Sequence, residues 1–466
     1  DYLNGKNGHR MMQKIAKNQW KPISDINEKD PQDGYDIIST IDVYIQDIAH
    51  HALLKQLEHY SADHGCVVVM ETKTGHIKAI SNLGRANDGS YYETQNYAIT
   101  ESHEPGSTFK LVDLIAVLDD KKADTSKIYD SKGGVIEYYG RKVRDSKPGG
   151  YGKISLARGF ELSSNTVLVQ SVYDSYKNNP KQFVDRINSY GLNKPLGLPI
   201  KGEGKPVIPQ PGTNRWSGVA LPWMAFGYGL SVTPLQTLTL YNAVANDGVM
   251  VKPIFVSEIK EWNKTIKKYN TEVINPKICS QETLDKVQAV LENVVKRGTG
   301  SKLYSKDFSM AGKTGTAQVN YKDKSKLYYA SSFVGYFPAD EPKYSCIIVV
   351  HKPNVAAGYY GADVAGPVFK RIAQKIFTDS PSTNHVKNID AKVVSQEKSY
   401  AEYYKKVEKE ERIVPNVKGM EGMDAVALLE NLGLKVKVIG VGRVKKQSLT
   451  SGQAFNKNQT IIIELS

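Results

Sequence analysis

Glu104-Pro105-Gly106-Ser107-Thr108-Phe109-Lys110 is the stretch around which the rest of the chain is interpreted. Pro105 and Gly106 predict a turn, and the apolar-rich run 111–118 predicts a helix that begins there. Residues three apart on a helix share a face, so the Lys110 amine would lie beside the Ser107 hydroxyl. A neutral lysine can take the proton of a serine, and the helix N-terminus favours the neutral amine. Alone, Ser-x-x-Lys is a weak signal, because a capping serine followed by a solvated lysine gives the same pattern.

Ser163-Ser164-Asn165 interrupts a segment, 156–173, that otherwise has helical character. Its hydroxyl and amide are groups that can relay a proton and hold a peptide carbonyl. The ordinary alternative is a polar turn that ends a helix.

Lys313-Thr314-Gly315-Thr316 opens a β-rich run, and Gly315 would let a substrate backbone approach an edge strand closely. Side chains alternate along a strand, so Lys313 and Thr316 would point to opposite faces. We therefore expect either a bulge or twist at Gly315, or a role for the backbone amide of Thr316. A solvated lysine at a strand end is the ordinary alternative.

The segments around these clusters predict an α+β domain over residues 36–378. A helix with its buried stripe at Ile45 to Leu57 precedes a hairpin, 66–80, and three more β-runs follow at 313–319, 331–337 and 344–350. A helix over 364–377 would cover the resulting antiparallel sheet, with an all-helical insert between its two halves.

The ends of the chain differ from this domain. Residues 1–35 are polar and irregular, residues 379–412 form a charged linker with a helical piece near 400–411, and residues 413–466 form a small α/β module. No run reaches the ~20 apolar residues of a membrane span, and no signal peptide is visible. Because the first residue is not Met, we expect the chain to be a portion of something longer.

The formal charge of +13 favours an anionic partner, such as a carboxylate-rich polymer or an acidic membrane surface. Nucleic acid is the weakest candidate, and a merely solubilising lysine excess stays open. Cys66 and Cys346 begin apolar runs and are interpreted as buried strand residues. We expect no metal and no cofactor, and we interpret the histidines at 50, 51, 59 and 64 as surface residues.

Ser-x-x-Lys, then Ser-x-Asn, then Lys-Thr-Gly is the ordered signature of the serine penicillin-recognising enzymes. Over nearly its whole length the chain resembles the class B penicillin-binding proteins, which are monofunctional peptidoglycan D,D-transpeptidases. The matching segments are Gly34 to Asp42, Val69 to Gly75, Glu104 to Lys110, Phe226 to Gly229, Thr233 to Gln236 and Ala311 to Gln318. The resemblance implies the β-lactamase-like penicillin-binding transpeptidase fold.

The two ends of the chain carry parts of the same resemblance. Gly5-Lys6-Asn7-Gly8 resembles the end of that family's pedestal domain, so most of the pedestal and the membrane anchor would be missing. Val414-Pro415-Asn416-Val417 opens a unit that resembles a PASTA module, a feature of division and sporulation transpeptidases.

The resemblance implies a role for each motif residue. Ser107 would attack the carbonyl between the two terminal D-alanines of a stem peptide, and Lys110 would accept its proton. Ser163 would relay a proton to the leaving D-alanine, with support from Lys313.

Substrate binding would fall to the remaining motif residues. Thr314 and Thr316 would hold the terminal carboxylate beside Gly315, and Asn165 would hold the side-chain amide. The backbone amides of Ser107 and Thr316 would form the oxyanion hole.

The implied partners are peptidoglycan stem peptides, β-lactams bound covalently at Ser107, and membrane-bound cell-wall or division proteins. The implied location is the bacterial envelope, at the outer face of the cytoplasmic membrane. A D,D-carboxypeptidase and a non-turnover β-lactam or peptidoglycan receptor remain as alternatives. Class A β-lactamases add a glutamate in a Glu-x-x-x-Asn setting, and no glutamate between the second and third motifs has that setting.

Overall fold

The computed structural model describes residues 2–23, 28–262, 264–321, 323, 325–379 and 412–466. The chain divides into two compact units, Asp1–Ser380 and Pro381–Ser466. Apart from its two end positions, the predicted linker 379–412 lies outside the described residues, and so does its helical piece.

The larger unit combines helices with short and long strands. Its α-helices are Val43–His59 (α1), Tyr97–Thr100 (α2), Lys110–Asp119 (α3), Leu156–Glu161 (α4), Asn165–Tyr176 (α5), Pro180–Ser189 (α6), Ala220–Met224 (α7), Pro234–Ala245 (α8), Gln281–Arg297 (α9), Gly361–Val364 (α10) and Gly366–Asp379 (α11). Its strands are Met12–Ala16 (β1), Gln19–Pro22 (β2), Asp36–Ser39 (β3), His64–Glu71 (β4), Ile77–Arg85 (β5), Tyr91–Tyr92 (β6), Ile128–Asp130 (β7), Val135–Tyr138 (β8), Arg141–Arg144 (β9), Lys153–Ser155 (β10), Met250–Val251 (β11), Val256–Glu261 (β12), Lys264–Lys268 (β13), Val273–Asn275 (β14), Ala311–Val319 (β15), Tyr328–Phe337 (β16) and Tyr344–His351 (β17).

A six-stranded sheet with the order β15-β16-β17-β4-β5-β6 organises this unit. All neighbours are antiparallel, and the β17–β4 pair joins strands from the two ends of the domain, with Cys346 opposite Val69. The predicted α+β fold, with helices packed on an antiparallel sheet, is confirmed. The strand that carries Lys313, β15, lies at the open edge of this sheet.

Both faces of the sheet are covered, which explains the continuous apolar run 66–70. Val67 and Val69 belong to a core with α1 and α11, and Val68 and Met70 to a second core with α3 and α8. Every residue of α8 is buried, and Thr233 and Gln236 form a reciprocal capping box at its start. The helix predicted at 364–377 is interrupted, because α10 ends at Val364 and α11 begins at Gly366.

An insert with α4, α5 and α6 comes between the two halves of the sheet, but it is not all-helical as predicted. Two small ladders accompany it, β7 with β10 and β8 with β9. Cys66, Cys279 and Cys346 are free and buried. In the part of the chain that the structure describes, no helix is both long and apolar enough to span a bilayer.

The smaller unit packs one helix on a three-stranded sheet. The helix is Gly422–Asn431 (α12), and the strands Lys435–Ile439 (β18), Val444–Gln447 (β19) and Thr460–Leu465 (β20) have the order β18-β20-β19. Val414 and Val417 are buried in its core with Leu428 and Ile461. β18 pairs with β20 in parallel. The sequence predicts a small α/β module of this kind.

Candidate active site

Ser107 lies in a tight 3-10 turn, Gly106–Phe109, that runs directly into α3. Gly106 has a φ of 55°, a conformation that glycine adopts without steric cost. The predicted turn opening a helix is therefore present, although its first residues form 3-10 geometry. Ser107 is half-buried and lines an open groove.

Gly227 fixes the position of this turn from a distant part of the chain. The Gly106 amide donates to the Gly227 carbonyl at 3.1 Å. A Cβ atom on Gly227 would lie only 2.0 Å from the Gly106 carbonyl oxygen, and its φ of 83° also favours glycine. The Phe226 to Gly229 segment thus matters because it lets two backbones touch.

Lys110 is fully buried and points at the second motif. Its Nζ donates to Asn165 Oδ1 at 2.6 Å, to the Ser163 carbonyl at 2.8 Å and to Ser163 Oγ at 3.2 Å. Burial lowers the pKa of Lys110 to about 7, although the negative charges of Asp145 and Asp113 act to raise it. Among the described residues no hydrogen bond joins Lys110 to Ser107, and Ser107 lines the groove whereas Lys110 does not.

Ser163 occupies the break between α4 and α5 in a left-handed conformation, with a φ of 55°. Ser164 then caps α5, accepting from the Val167 amide at 3.2 Å. Asp145 ties this corner to β9, because its carboxylate accepts from the Ser164 hydroxyl at 3.1 Å and from the Thr166 amide at 2.9 Å. These bonds orient the Ser163 hydroxyl toward the two lysines.

Lys313 reaches the same hydroxyl from the edge strand. Its buried Nζ donates to Ser163 Oγ at 2.8 Å and to the Thr314 carbonyl at 2.9 Å. Burial, together with the neighbouring charge of Lys110, lowers the pKa of Lys313 well below its ordinary value. Two amines therefore converge on one hydroxyl, a placement that is strongly unfavourable when both are charged.

Of the alternatives predicted at Gly315, a bulge is excluded, because β15 pairs with β16 from Ala311 to Val319 without a register shift. The long side chain of Lys313 spans the distance to Ser163, so the strand needs no irregularity. Gly315 instead packs tightly, since a Cβ there would lie 2.2 Å from Ser332 Oγ.

The outer edge of β15 faces the groove. The Gln318 amide donates to Tyr228 Oη at 2.7 Å and not to β16. Alternate amides of a strand point the same way, so the Thr316 amide also faces the groove. The Thr316 hydroxyl accepts from the Gly361 amide at 3.0 Å, and the Thr314 and Thr299 hydroxyls lie 2.7 Å apart.

The structure thus brings Lys110, Ser163, Asn165 and Lys313 into direct contact, and places Ser107 and Thr316 on the same groove. The groove has a volume of about 1070 Å³, at the upper end for ligand sites. Sequence reasoning missed the supporting residues Thr299 and Asp145, and it gave Gly227 only as part of the matching segment Phe226 to Gly229. Only the Gly-Thr-Gly run at 298–300 offered a local signal, as a loop before the β-rich region.

Asp113, one turn after Lys110, is fully buried, and neither of its carboxylate oxygens has a hydrogen-bond partner. Burial raises the pKa of Asp113 well above its ordinary value, with partial compensation by Lys110. The Asp113 carboxyl therefore keeps its proton to a higher pH than an exposed aspartate does. No sequence pattern indicates this burial, since an acidic residue in an apolar helix run is ordinarily placed on its exposed side.

A histidine cluster lies where β4 begins and β17 ends, with His64 directly opposite His351 in the ladder. Among the described residues, His64, Glu101 and His351 bring possible ligand atoms within 4.8 Å of one another. The two imidazoles are stacked at 4.4 Å and 11°, so their in-plane lone pairs run side by side and do not converge on one ion. The Glu101 carboxylate instead bonds His64 Nε2 at 2.9 Å. The prediction of a surface His64 is wrong, because Tyr97 and His351 cover its two faces.

A serine turn that faces buried lysines, on an antiparallel sheet with a helical insert, defines the serine penicillin-recognising class of acyl-transferases. Comparisons with known proteins agree. The chain matches the model of the penicillin binding protein transpeptidase domain over residues 65–374, and that of the PASTA domain over residues 412–466. The first match covers more than half of the chain, which therefore belongs to the penicillin-binding protein transpeptidase family.

Individual relatives give the same picture. The chain is 29% identical to the stage V sporulation protein D of Bacillus subtilis, an alignment that covers 100% of this chain and 71% of that protein. It is 27% identical to the peptidoglycan D,D-transpeptidase FtsI of Escherichia coli, over 80% of this chain but only 60% of FtsI. Penicillin binding protein 3 of Mycobacterium tuberculosis, solved in complex with aztreonam, is 26% identical with a TM-score of 0.67, over 75% of this chain and 80% of that one. The larger unit is a serine-type peptidoglycan D,D-transpeptidase domain.

Proposed function

We propose that this protein cross-links peptidoglycan stem peptides through an acyl-enzyme on Ser107. The observation that carries the assignment is the convergence of Lys110 and Lys313 on Ser163 Oγ, at 3.2 and 2.8 Å, beside the turn that presents Ser107. Two amines that can each hold a proton then border one serine hydroxyl. This is the arrangement that proton transfer from a serine to a leaving amine requires.

In the acylation step, Ser107 Oγ bonds to the carbonyl carbon between the two terminal D-alanines. Lys110 accepts the hydroxyl proton, since a pKa of about 7 leaves the amine half neutral at neutral pH. The C–N bond then breaks, and the leaving D-alanine amine takes a proton through Ser163. Lys313 stabilises the Ser163 hydroxyl in the orientation that this relay needs.

Backbone amides would stabilise the oxyanion of the tetrahedral intermediate. The Thr316 amide faces the groove by the alternation of β15, and the Ser107 amide lies in the 3-10 turn. Such a donor contributes a factor of roughly 10² to 10³ in rate. The hydroxyls of Thr314 and Thr316, beside Gly315, would hold the terminal carboxylate of the stem peptide. Asn165 would hold the side-chain amide of the substrate.

In the second step an amine of another stem peptide attacks the ester. A new C–N bond forms, the C–O bond to Ser107 breaks, and the amine proton returns to Ser107 through Lys110. A β-lactam would acylate Ser107, and the resulting acyl-enzyme would hydrolyse slowly.

Slow hydrolysis is expected because no carboxylate of the described groove residues is free to activate water. Among the groove residues that the structure describes, the only carboxylate is that of Asp145, and it accepts hydrogen bonds from Ser164 and Thr166. Glu203 lies elsewhere, accepting from the Gly197 and Leu198 amides.

A D,D-carboxypeptidase would use the same residues with water as acceptor, and a receptor would keep the acyl-enzyme without turnover. Intact mass spectrometry with penicillin, for the wild type and Ser107→Ala, tests the nucleophile. The expected result is a stoichiometric adduct on the wild type alone, and an adduct on Ser107→Ala would overturn the assignment. A stem-peptide thioester with D-amino acid acceptors then separates the activities, because the proposal requires amide product in excess of hydrolysis.

We also propose a place in the cell for this activity. The domain acts in the bacterial envelope, at the outer face of the cytoplasmic membrane, together with membrane-bound cell-wall or division proteins in septal synthesis. The match to a sporulation protein, over 100% of this chain and 71% of that protein, and the C-terminal PASTA match support this context. Labelling of a tagged chain in cells would test it: signal spread evenly along the side wall, and absent from septa, would contradict the septal role.

A further inference from the structure

The groove beside Ser107 has a charged side and an aromatic side. On the insert side, Arg141 and Arg144 come from β9, and Arg215 lies in the loop before α7. On the sheet side, Tyr329 stacks on Tyr359 with ring centroids 4.0 Å apart. A substrate that fills the groove therefore meets cations on one side and apolar ring faces on the other.

The three arginines have no acidic partner. In the described residues Arg141, Arg144 and Arg215 are exposed and make no ion pair, while Asp145, the only acid lining the groove, is bound by Ser164 and Thr166. Lys142 is set apart from them, because Glu137 lies directly opposite it in the β8–β9 ladder. Three uncompensated guanidinium groups around one groove repel one another and favour an anionic occupant.

Arg144 is the arginine that the backbone places nearest to the chemistry. Its carbonyl accepts from Asn165 Nδ2 at 2.7 Å, and Asn165 Oδ1 accepts from Lys110 at 2.6 Å. Alternation along β9 puts Arg144 on the face opposite to the buried Val143, whereas Arg141 is on the Val143 face and lines the groove from that side. Arg144 thus lines the groove next to Asn165, which the proposed function places on the side that precedes the two D-alanines.

We propose that Arg144, with Arg141 and Arg215, forms a subsite for a carboxylate of the stem peptide, on the side that precedes the two D-alanines. The proposal rests on the proposed function. Stem peptides offer two such groups: the α-carboxylate of a γ-linked glutamate at the second residue, and the side-chain carboxylate of a diamino dicarboxylic acid at the third. Guanidinium groups bind carboxylates with two parallel hydrogen bonds, and amidation removes the charge and one acceptor.

The test compares donor pentapeptides that differ only in amidation. Acylation of the full chain is measured as kcat/KM with the dicarboxylate, with the second-residue amide and with the third-residue amide. The wild type is expected to prefer a free carboxylate about tenfold, at the scale of a charge-assisted bond. Arg144→Gln and Arg215→Gln should each reduce that ratio to about threefold or less, whereas Arg371→Gln, an exposed arginine on α11, should leave it unchanged.

The use of a ratio removes any general effect of a variant on acylation or folding. If the arginine variants lose the preference for a free carboxylate at the second residue, the subsite binds that carboxylate. If they lose the preference at the third residue, it binds the carboxylate there. Either result supports the subsite. Equal kcat/KM for all three donors in the wild type would overturn the subsite, as would an unchanged ratio in both arginine variants. Penicillin labelling of the wild type is independent of the donor ratio, so its absence would contradict the proposed function and not the subsite.

Discussion

The Nζ of Lys313 donates a hydrogen bond of 2.8 Å to the hydroxyl of Ser163, 150 residues earlier in the chain. Lys110 donates to the same hydroxyl from the other side at 3.2 Å. Because both amines are buried, the charged forms are disfavoured and a proton can pass among the three groups at low cost. The chemistry of the site therefore depends on this shared hydroxyl and on the turn beside it.

The acylation rate should depend on the protonation of Lys110. Burial lowers the pKa of this amine to about 7, so its neutral, basic form increases as pH rises through that value. With benzylpenicillin, the acylation rate constant should rise about tenfold per pH unit below 7 and become constant above 8. Stopped-flow measurements from pH 5.5 to 9 would show this, and a flat profile would remove Lys110 from the role of base.

Ser163 allows activity and stability to be separated. Ser163→Ala and Ser163→Gly both remove the shared hydroxyl, and both should slow penicillin acylation by about a hundredfold or more. At a φ of 55°, glycine lacks the steric cost that alanine carries, so Ser163→Gly should be more stable than Ser163→Ala by about 1 kcal/mol. Chemical denaturation checks the second point. Acylation at the wild-type rate in either variant would exclude Ser163 from the relay.

Much of the fold is predictable because its signals are local. The capping of α8 by Thr233 and Pro234, and the apolar runs that form β4 and β17, follow directly from the residues present. The order of the three motifs then indicates the family and, through it, the candidate site. What the resemblance does not provide is the reason why Gly227 must be glycine.

The errors share a different cause, which is contact between remote segments. His64 resembles a surface residue in the sequence because no local pattern shows that His351 and Tyr97 stack on it. Alternation offered a bulge at Gly315 as one alternative, and this argument takes no account of the reach of a lysine side chain. Acidic residues are ordinarily exposed, so the sequence does not predict that Asp113 is buried without a hydrogen-bond partner. Only the packing of the folded chain shows it.

Gly227→Ala should disable acylation through the backbone of the nucleophile turn. The new Cβ would lie 2.0 Å from the Gly106 carbonyl oxygen, so the turn that carries Ser107 must move. Gly149→Ala is the matched control, because its φ of 80° carries a similar conformational cost while nothing lies within 4 Å of its Cβ. Gly149→Ala should lose roughly 1 kcal/mol of stability and Gly227→Ala at least as much, but only Gly227→Ala should lose at least tenfold in penicillin acylation rate. Equal rates would contradict the contact argument.

Asp113→Asn should change how stability depends on pH. Burial raises the pKa of Asp113 in the folded state, so the native protein keeps a proton that the unfolded chain releases above about pH 4. Wild-type stability is therefore lost as pH rises, whereas an asparagine makes no such contribution. Between pH 5 and pH 8, the difference in Tm between the two proteins should shift in favour of the Asp113→Asn variant. The opposite trend would mean that Asp113 is ionised and paired in the native state.

Glu101→Gln should remove an acid-sensitive part of the stability. Burial opposes ionisation of Glu101, but the hydrogen bond from His64 and the charges of His351 and His64 outweigh it and lower the pKa to about 2. A carboxylate with a lowered pKa stabilises the fold above its unfolded pKa, and that contribution is lost as pH falls toward the folded value. The wild type should exceed Glu101→Gln in unfolding free energy by about 2 kcal/mol more at pH 6 than at pH 3. Glu341→Gln, an exposed carboxyl between β16 and β17, should show no such change. If the difference in unfolding free energy between the wild type and Glu101→Gln did not change with pH, the histidines would not lower the pKa of Glu101.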